Sequence, residues 1–113
     1  MGDSKRITNP LRPLGYAFLY DCLVIYARRM GYALAIHGSL KRDLDLVACP
    51  WTDDAVSAEE LAEMMREAVE GRFDETPERP LPERKPHGRL AWSILVGADG
   101  CYIDLSVMPR EQR

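Results

Sequence analysis

One stretch restricts the folds open to this chain more than any other: His37-Gly38-Ser39-Leu40-Lys41-Arg42-Asp43-Leu44-Asp45-Leu46-Val47. It reads as an apolar strand, a tight polar turn, and a second apolar strand that carries two carboxylates. Strand side chains alternate between faces. Asp43 and Asp45 therefore point one way, and Leu44 and Leu46 the other. A carboxylate is costly to bury unless it is paired, hydrogen-bonded or bound to a metal. A fold built on this stretch must pack the leucine face and leave the aspartate face to solvent or to a ligand. The chemistry that suits such a face is a divalent cation, because hard cations take oxygen ligands from carboxylates and from phosphates. Carboxylates on the solvated side of an antiparallel sheet are the ordinary alternative.

The end of the chain repeats the pattern. In Tyr102-Ile103-Asp104-Leu105-Ser106-Val107, the residues Ile103, Leu105 and Val107 share one face, and Tyr102, Asp104 and Ser106 the other. If this strand lies beside the Asp43–Cys49 strand, three carboxylates converge. Paired cations held by such a set can stabilise both the attacking and the leaving oxygen of a phosphoryl transfer. Gly38 and Ser39 would stand at the mouth of that site, where a Gly-Ser turn lets backbone approach a phosphate closely.

The remaining elements follow from periodicity and punctuation. A helix is expected from Pro13 to Met30, with Leu14, Phe18, Cys22 and Ile25 at helical spacing and Ala17 beside them. Pro13 suits a first turn, Gly31 a C-terminal cap, and Arg28 and Arg29 the negative end of the dipole. Tyr16, Tyr20 and Tyr26 leave this helix apolar almost all round, which implies burial on more than one side or a partner, such as a second copy. Tyr32–His37 and Asp43–Cys49 should pair as a hairpin. A second helix starts at Ser57, whose Ser57-Ala58-Glu59-Glu60 is a capping box with Val56 and Leu61 as a hydrophobic staple. Its apolar face is Leu61, Met64, Met65, Ala68 and Val69, and Gly71 ends it. Residues 72–88 read as a long charged loop, and Arg84, Lys85, His87 and Arg89 make a basic run at its end. Arg89–Val96 reads as a third strand with Leu90, Trp92, Ile94 and Val96 on one side. Gly97–Gly100 reads as a turn, Cys101–Met108 as a fourth strand and Arg110–Arg113 as a frayed tail. The expected fold is α/β, or α+β by arrangement: a four-stranded, mostly antiparallel sheet with two helices on its apolar face. The carboxylate face is left to the 72–88 loop.

These residues resemble the nucleotidyltransferase superfamily of the DNA polymerase beta type. That family pairs a Gly-Ser with an Asp-x-Asp strand flanked by aliphatics and adds a third Asp on a later strand. Gly38-Ser39, Asp43-Leu44-Asp45-Leu46-Val47 and Tyr102-Ile103-Asp104-Leu105 stand in the same order. The resemblance covers most of residues 32–107 and implies transfer of a nucleotide to an acceptor. By the same resemblance, Asp43, Asp45 and Asp104 would be catalytic and would bind Mg2+ or Mn2+, and Gly38 and Ser39 would contact nucleotide phosphate. Only Leu40-Lys41-Arg42 separates Ser39 from Asp43, where the family usually has a longer connection opening a helix. Lys41 and Arg42 are then the cationic phosphate ligands available. His37 is a candidate general base or a hydrogen-bonded residue at a strand end. His87 is a candidate phosphate contact or a solvated loop residue. The whole pattern also resembles small phage- and prophage-encoded proteins. That resemblance implies two further readings: a catalytically silent protein that binds and inhibits a host defence system, and an antitoxin-like partner of a helical toxin.

The bulk properties narrow these classes. At 113 residues and 46% hydrophobic the chain is expected to form one domain. A net charge of -3 argues against a bulk electrostatic grip on nucleic acid, leaving room for a local basic patch. Cys22, Cys49 and Cys101 are odd in number and form no C-x-x-C pair, which fits a reducing compartment better than a disulfide scaffold. No apolar run has membrane-spanning length, and the N-terminus lacks the apolar segment of a signal peptide. The expected location is cytoplasmic, in the host if the protein is phage-encoded.

Overall fold

The computed structural model describes residues 12–70, 81–96 and 101–110. The expected arm at residues 1–10, the turn at 97–100 and most of the 72–88 loop lie outside these residues. Among them, two helices, α1 (Arg12–Arg29) and α2 (Ala58–Glu70), accompany five strands. The strands are β1 (Tyr32–His37), β2 (Asp43–Pro50), β3 (Glu83–Arg84), β4 (Leu90–Val96) and β5 (Cys101–Val107). The sheet order is β1-β2-β5-β4-β3. All neighbours are antiparallel except β2 and β5, which run parallel at the centre.

The fold is thus mixed α+β, with five strands where the periodicity predicts four. The extra strand, β3, is two residues long and exposed, Glu83 pairing with Ala91 and Arg84 with Leu90. Two charged residues have no side-chain alternation to detect, and the edge of a sheet accepts them because only their backbone is used. Beyond β3 the chain makes a short 3-10 turn, Pro86–Gly88, in which His87 has φ 68°.

One face of the sheet carries the core. Leu34, Leu44, Leu46, Ala48, Trp92, Ile94, Val96, Ile103, Leu105 and Val107 are all buried there. α1 lies against β1 and α2 against β4. The α2 start is as expected. The Ser57 Oγ accepts from the Glu60 N–H at 3.1 Å, and the Ser57 N–H donates to Glu60 Oε1 at 3.3 Å. Leu61, Met65 and Val69 bury completely beneath it.

α1 turns the other way from the stripe its spacing marks. Tyr16, Leu19, Leu23 and Ala27 are buried, while Leu14, Phe18, Ile25 and Tyr26 are exposed. The tyrosines decide the orientation. Tyr16 donates its hydroxyl to the Arg42 carbonyl at 2.6 Å, and Tyr20 donates to the Leu34 carbonyl at 2.7 Å. A buried phenol with an anchored hydroxyl adds apolar contact without an unpaired polar group. Gly31 ends the helix with φ 91°, as expected of a left-handed cap. Trp51 is 79% exposed, whereas Trp92 is buried in the core. One other expectation changes. Arg110, expected in a frayed tail, donates to the carbonyls of Asp53 and Val56 at 3.4 and 3.2 Å.

Candidate metal centre

Among the described residues no helix packs on the opposite face of the sheet, and the three aspartates meet there. β2 and β5 pair in parallel with Asp45 opposite Asp104 and Asp43 opposite Tyr102. This register follows from the covered face, where Leu44 sits beside Ile103 and Leu46 beside Leu105. A slip of one residue would expose those leucines, so packing on one side sets the carboxylates on the other. One oxygen from each of Asp43, Asp45 and Asp104 lies within 4.8 Å of the others. All three side chains are half-buried.

The neighbourhood is built by cross-strand pairing. His37 on β1 faces Asp45, and Ser93 on β4 faces Asp104. His37, Asp45, Asp104 and Ser93 therefore form one row across four strands. Ser93 donates its hydroxyl to Asp104 Oδ1 at 3.1 Å. Gly38, at φ 86°, closes the β1–β2 loop against the cluster, and a Cβ built on it would fall 2.5 Å from Asp45 Oδ2. Both the backbone angle and the close approach call for glycine here. Leu40 follows at φ 63°, and the Lys41 N–H donates to Ser39 Oγ at 3.3 Å. The Tyr16 hydroxyl pins the loop's last residue, Arg42, through its carbonyl.

The electrostatics are those of crowded carboxylates. The pKa of Asp43 is raised by its partial burial first, then by the charge of Asp104 and a shared hydrogen bond with it. Asp45 adds to this, and Arg42 opposes it. The pKa of Asp45 is raised by burial and then by Asp104, with His37 opposing. Anionic oxygens that disfavour each other's ionisation are relieved by a cation among them. The three carboxylates, close together on strands whose positions are set by a packed core, could hold a metal ion.

The fold brings most of the sequence-predicted site together. Asp43, Asp45, Asp104, Gly38 and His37 are contiguous, and Arg42 acts on Asp43. Ser39 and Lys41 lie in the same loop, exposed. His87 does not join them. Gly88, next to it, approaches Pro109, beyond the opposite end of β5 from Tyr102. Ser93, not among the sequence-predicted site residues, joins the cluster; strand parity alone places it opposite Trp92 and Ile94 on the polar face. Arg89, expected in the basic run and at the start of the third strand, lies one residue before β4, and its guanidinium reaches over the open face to Ser106.

No protein-family model matches this chain, and no curated protein matches it. No helix among the described residues is long and apolar enough to cross a membrane.

Proposed function

We propose that this is a nucleotidyltransferase-like protein that binds a divalent cation, Mg2+ or Mn2+, through Asp43, Asp45 and Asp104 and acts on a nucleotide. The observation that carries the reading is the convergence of three carboxylates, from two strands distant in sequence, beside a glycine turn. A bound cation would neutralise charge on a phosphate and hold it in line for displacement. The protein's own contribution is placement. Asp45 and Asp104 are held opposite each other by the β2–β5 ladder, and Ser93 orients Asp104. The Gly38 turn brings backbone up to the cluster, and Lys41 and Arg42 supply positive charge for phosphate oxygens in place of a helix N-terminus. In the transfer itself, an acceptor hydroxyl oxygen bonds to the nucleotide's α-phosphorus as the bond to pyrophosphate breaks. The hydroxyl proton passes to a carboxylate of the cluster. Titration with Mn2+ should show saturable binding that Asp43→Ala and Asp45→Ala abolish, and the metal-loaded protein should consume a nucleoside triphosphate. Absence of Mn2+ binding in the wild-type protein would end the metal-centre reading.

A second reading is supported by α1. Leu14, Phe18, Ile25 and Tyr26 form an exposed apolar stripe on the side away from the sheet, with Phe18 65% exposed. Stripes of this kind mark protein contacts. In this reading the chain docks a protein through α1: a second copy, a helical toxin or a component of a host defence system. Its activity would survive Asp45→Ala and be lost in Phe18→Glu. The metal-centre reading requires the reverse.

A further inference from the structure

Arg89 precedes β4 and belongs, by strand parity, to the same face as Ala91 and Ser93. Its side chain runs back across that face. Nη1 donates to Ser106 Oγ at 2.9 Å and Nε donates to the Pro86 carbonyl at 3.3 Å. Both acceptors are neutral. Among the described residues the guanidinium has no carboxylate partner. The acid of the edge strand, Glu83, is paired with Lys85 at 3.6 Å. A guanidinium has five N–H donors in a fixed fork, so engaging these two leaves three directed away from the anchors.

Ser106 sits two residues from Asp104 on the same face of β5, about 7 Å along the strand. The open face thus presents an anchored, charge-uncompensated guanidinium one step from a group of charge-crowded carboxylates. The two charges do not neutralise each other directly, because Ser106 and Pro86 hold Arg89 back. A ligand that satisfies both carries anionic oxygens at that spacing: one for a cation among the aspartates, another for the guanidinium.

We infer that Arg89 is the anion anchor of this face and takes an oxygen of a polyphosphate whose other end is held at the metal centre. The assignment rests on the metal-centre reading for the second end of the ligand. It makes Arg89, not the β1–β2 loop alone, a determinant of phosphate binding. Ser106 is then a positioning residue that aims the fork, and Ala91, the small residue on the same face, leaves room for it.

The test uses Mn2+ and inorganic pyrophosphate as probes, measured by calorimetry on the full chain. Mn2+ alone should bind wild type, Arg89→Gln and Ser106→Ala equally. Pyrophosphate, added with Mn2+ present, should bind wild type and lose about tenfold or more in Arg89→Gln, the scale of a charge-assisted bidentate contact. Ser106→Ala should lose less, and Arg89→Lys, which keeps charge without the fork, should fall between. Melting curves of the variants separate loss of the contact from loss of the fold. Equal pyrophosphate affinity in wild type and Arg89→Gln overturns the inference and leaves Arg89 as a latch for the Pro86 turn. No pyrophosphate binding by the wild type overturns it as well. Failure of Mn2+ binding alone strikes the metal centre, and Arg89 is then judged on pyrophosphate without metal by the same wild-type-to-Gln ratio.

Discussion

The two faces of the sheet are made by the same strands, yet they obey different rules. The covered face is a continuous apolar layer in which Leu44, Leu46, Ile94 and Ile103 are fully buried. Its residues stabilise the fold by leaving water. The open face carries Asp43, Asp45, Asp104, His37, Ser93 and the Arg89 guanidinium, and its carboxylates disfavour one another. That layer costs stability in the absence of a counter-ion. The covered face therefore holds the open face in a geometry that the open face would not choose. This is the expected relation between a packed scaffold and a cluster of unfavourable charge that it positions.

The contrast can be broken most severely on the covered side. Leu46→Ala should remove about 2–5 kcal/mol of stability, the cost of an unfilled core site. Val47→Ala, the next residue on the open face, should cost under about 1 kcal/mol. Chemical denaturation of the pair measures the difference, and similar losses would mean that the two faces are not distinct in packing.

A smaller effect is expected where the faces meet the turn. Gly38→Ala puts a side chain at positive φ and against Asp45 Oδ2. It should cost roughly 1–2 kcal/mol by the strain of that conformation. It should also weaken Mn2+ binding by displacing Asp45, so the same variant read by denaturation and by metal titration shows whether turn and cluster act as one unit.

The smallest effect has the opposite sign. A carboxyl whose pKa is higher folded than unfolded holds its proton more tightly in the folded state. It favours folding below both values, and that benefit is lost as pH rises through the unfolded and then the folded pKa. Both Asp43 and Asp45 are raised. Metal-free protein should therefore lose a little stability as pH rises from about 4 through the acidic range. Asp45→Asn should be slightly more stable than wild type at neutral pH, by less than about 1 kcal/mol after solvent screening. Added Mg2+ should reverse the ranking, stabilising the wild type and not the variant, and melting temperatures with and without the ion check this. A variant less stable than wild type without metal would show that the aspartates are paired, not crowded.

How much of this was legible in the sequence differs between the two helices. α2 announces itself. Its capping box is local chemistry, and a single apolar face leaves one way to pack it. α1 carries apolar residues on both sides, so spacing identifies the helix and cannot choose the buried stripe. The choice falls to Tyr16 and Tyr20, whose hydroxyls find the carbonyls of Arg42 and Leu34 only after the sheet has formed. β3 was invisible for a related reason, since two exposed residues are recruited by the free edge of β4 and not by any pattern of their own.

The site divides in the same way. Sequence alone determined that Asp43, Asp45 and Asp104 stand opposite apolar strand faces, because side-chain alternation is a local property of the extended chain. It also determined the tight Gly38 turn between β1 and β2. Only tertiary structure decided that β5 inserts beside β2, in parallel, with Asp104 opposite Asp45. That pairing joins segments distant in the chain, and its register is chosen by the burial of Leu44 with Ile103 and Leu46 with Leu105. The placement of Arg89 over Ser106 was decided there too, because it depends on β4 lying along the other side of β5. The acids were written locally; their convergence is a consequence of packing a hydrophobic layer on the far side of the sheet.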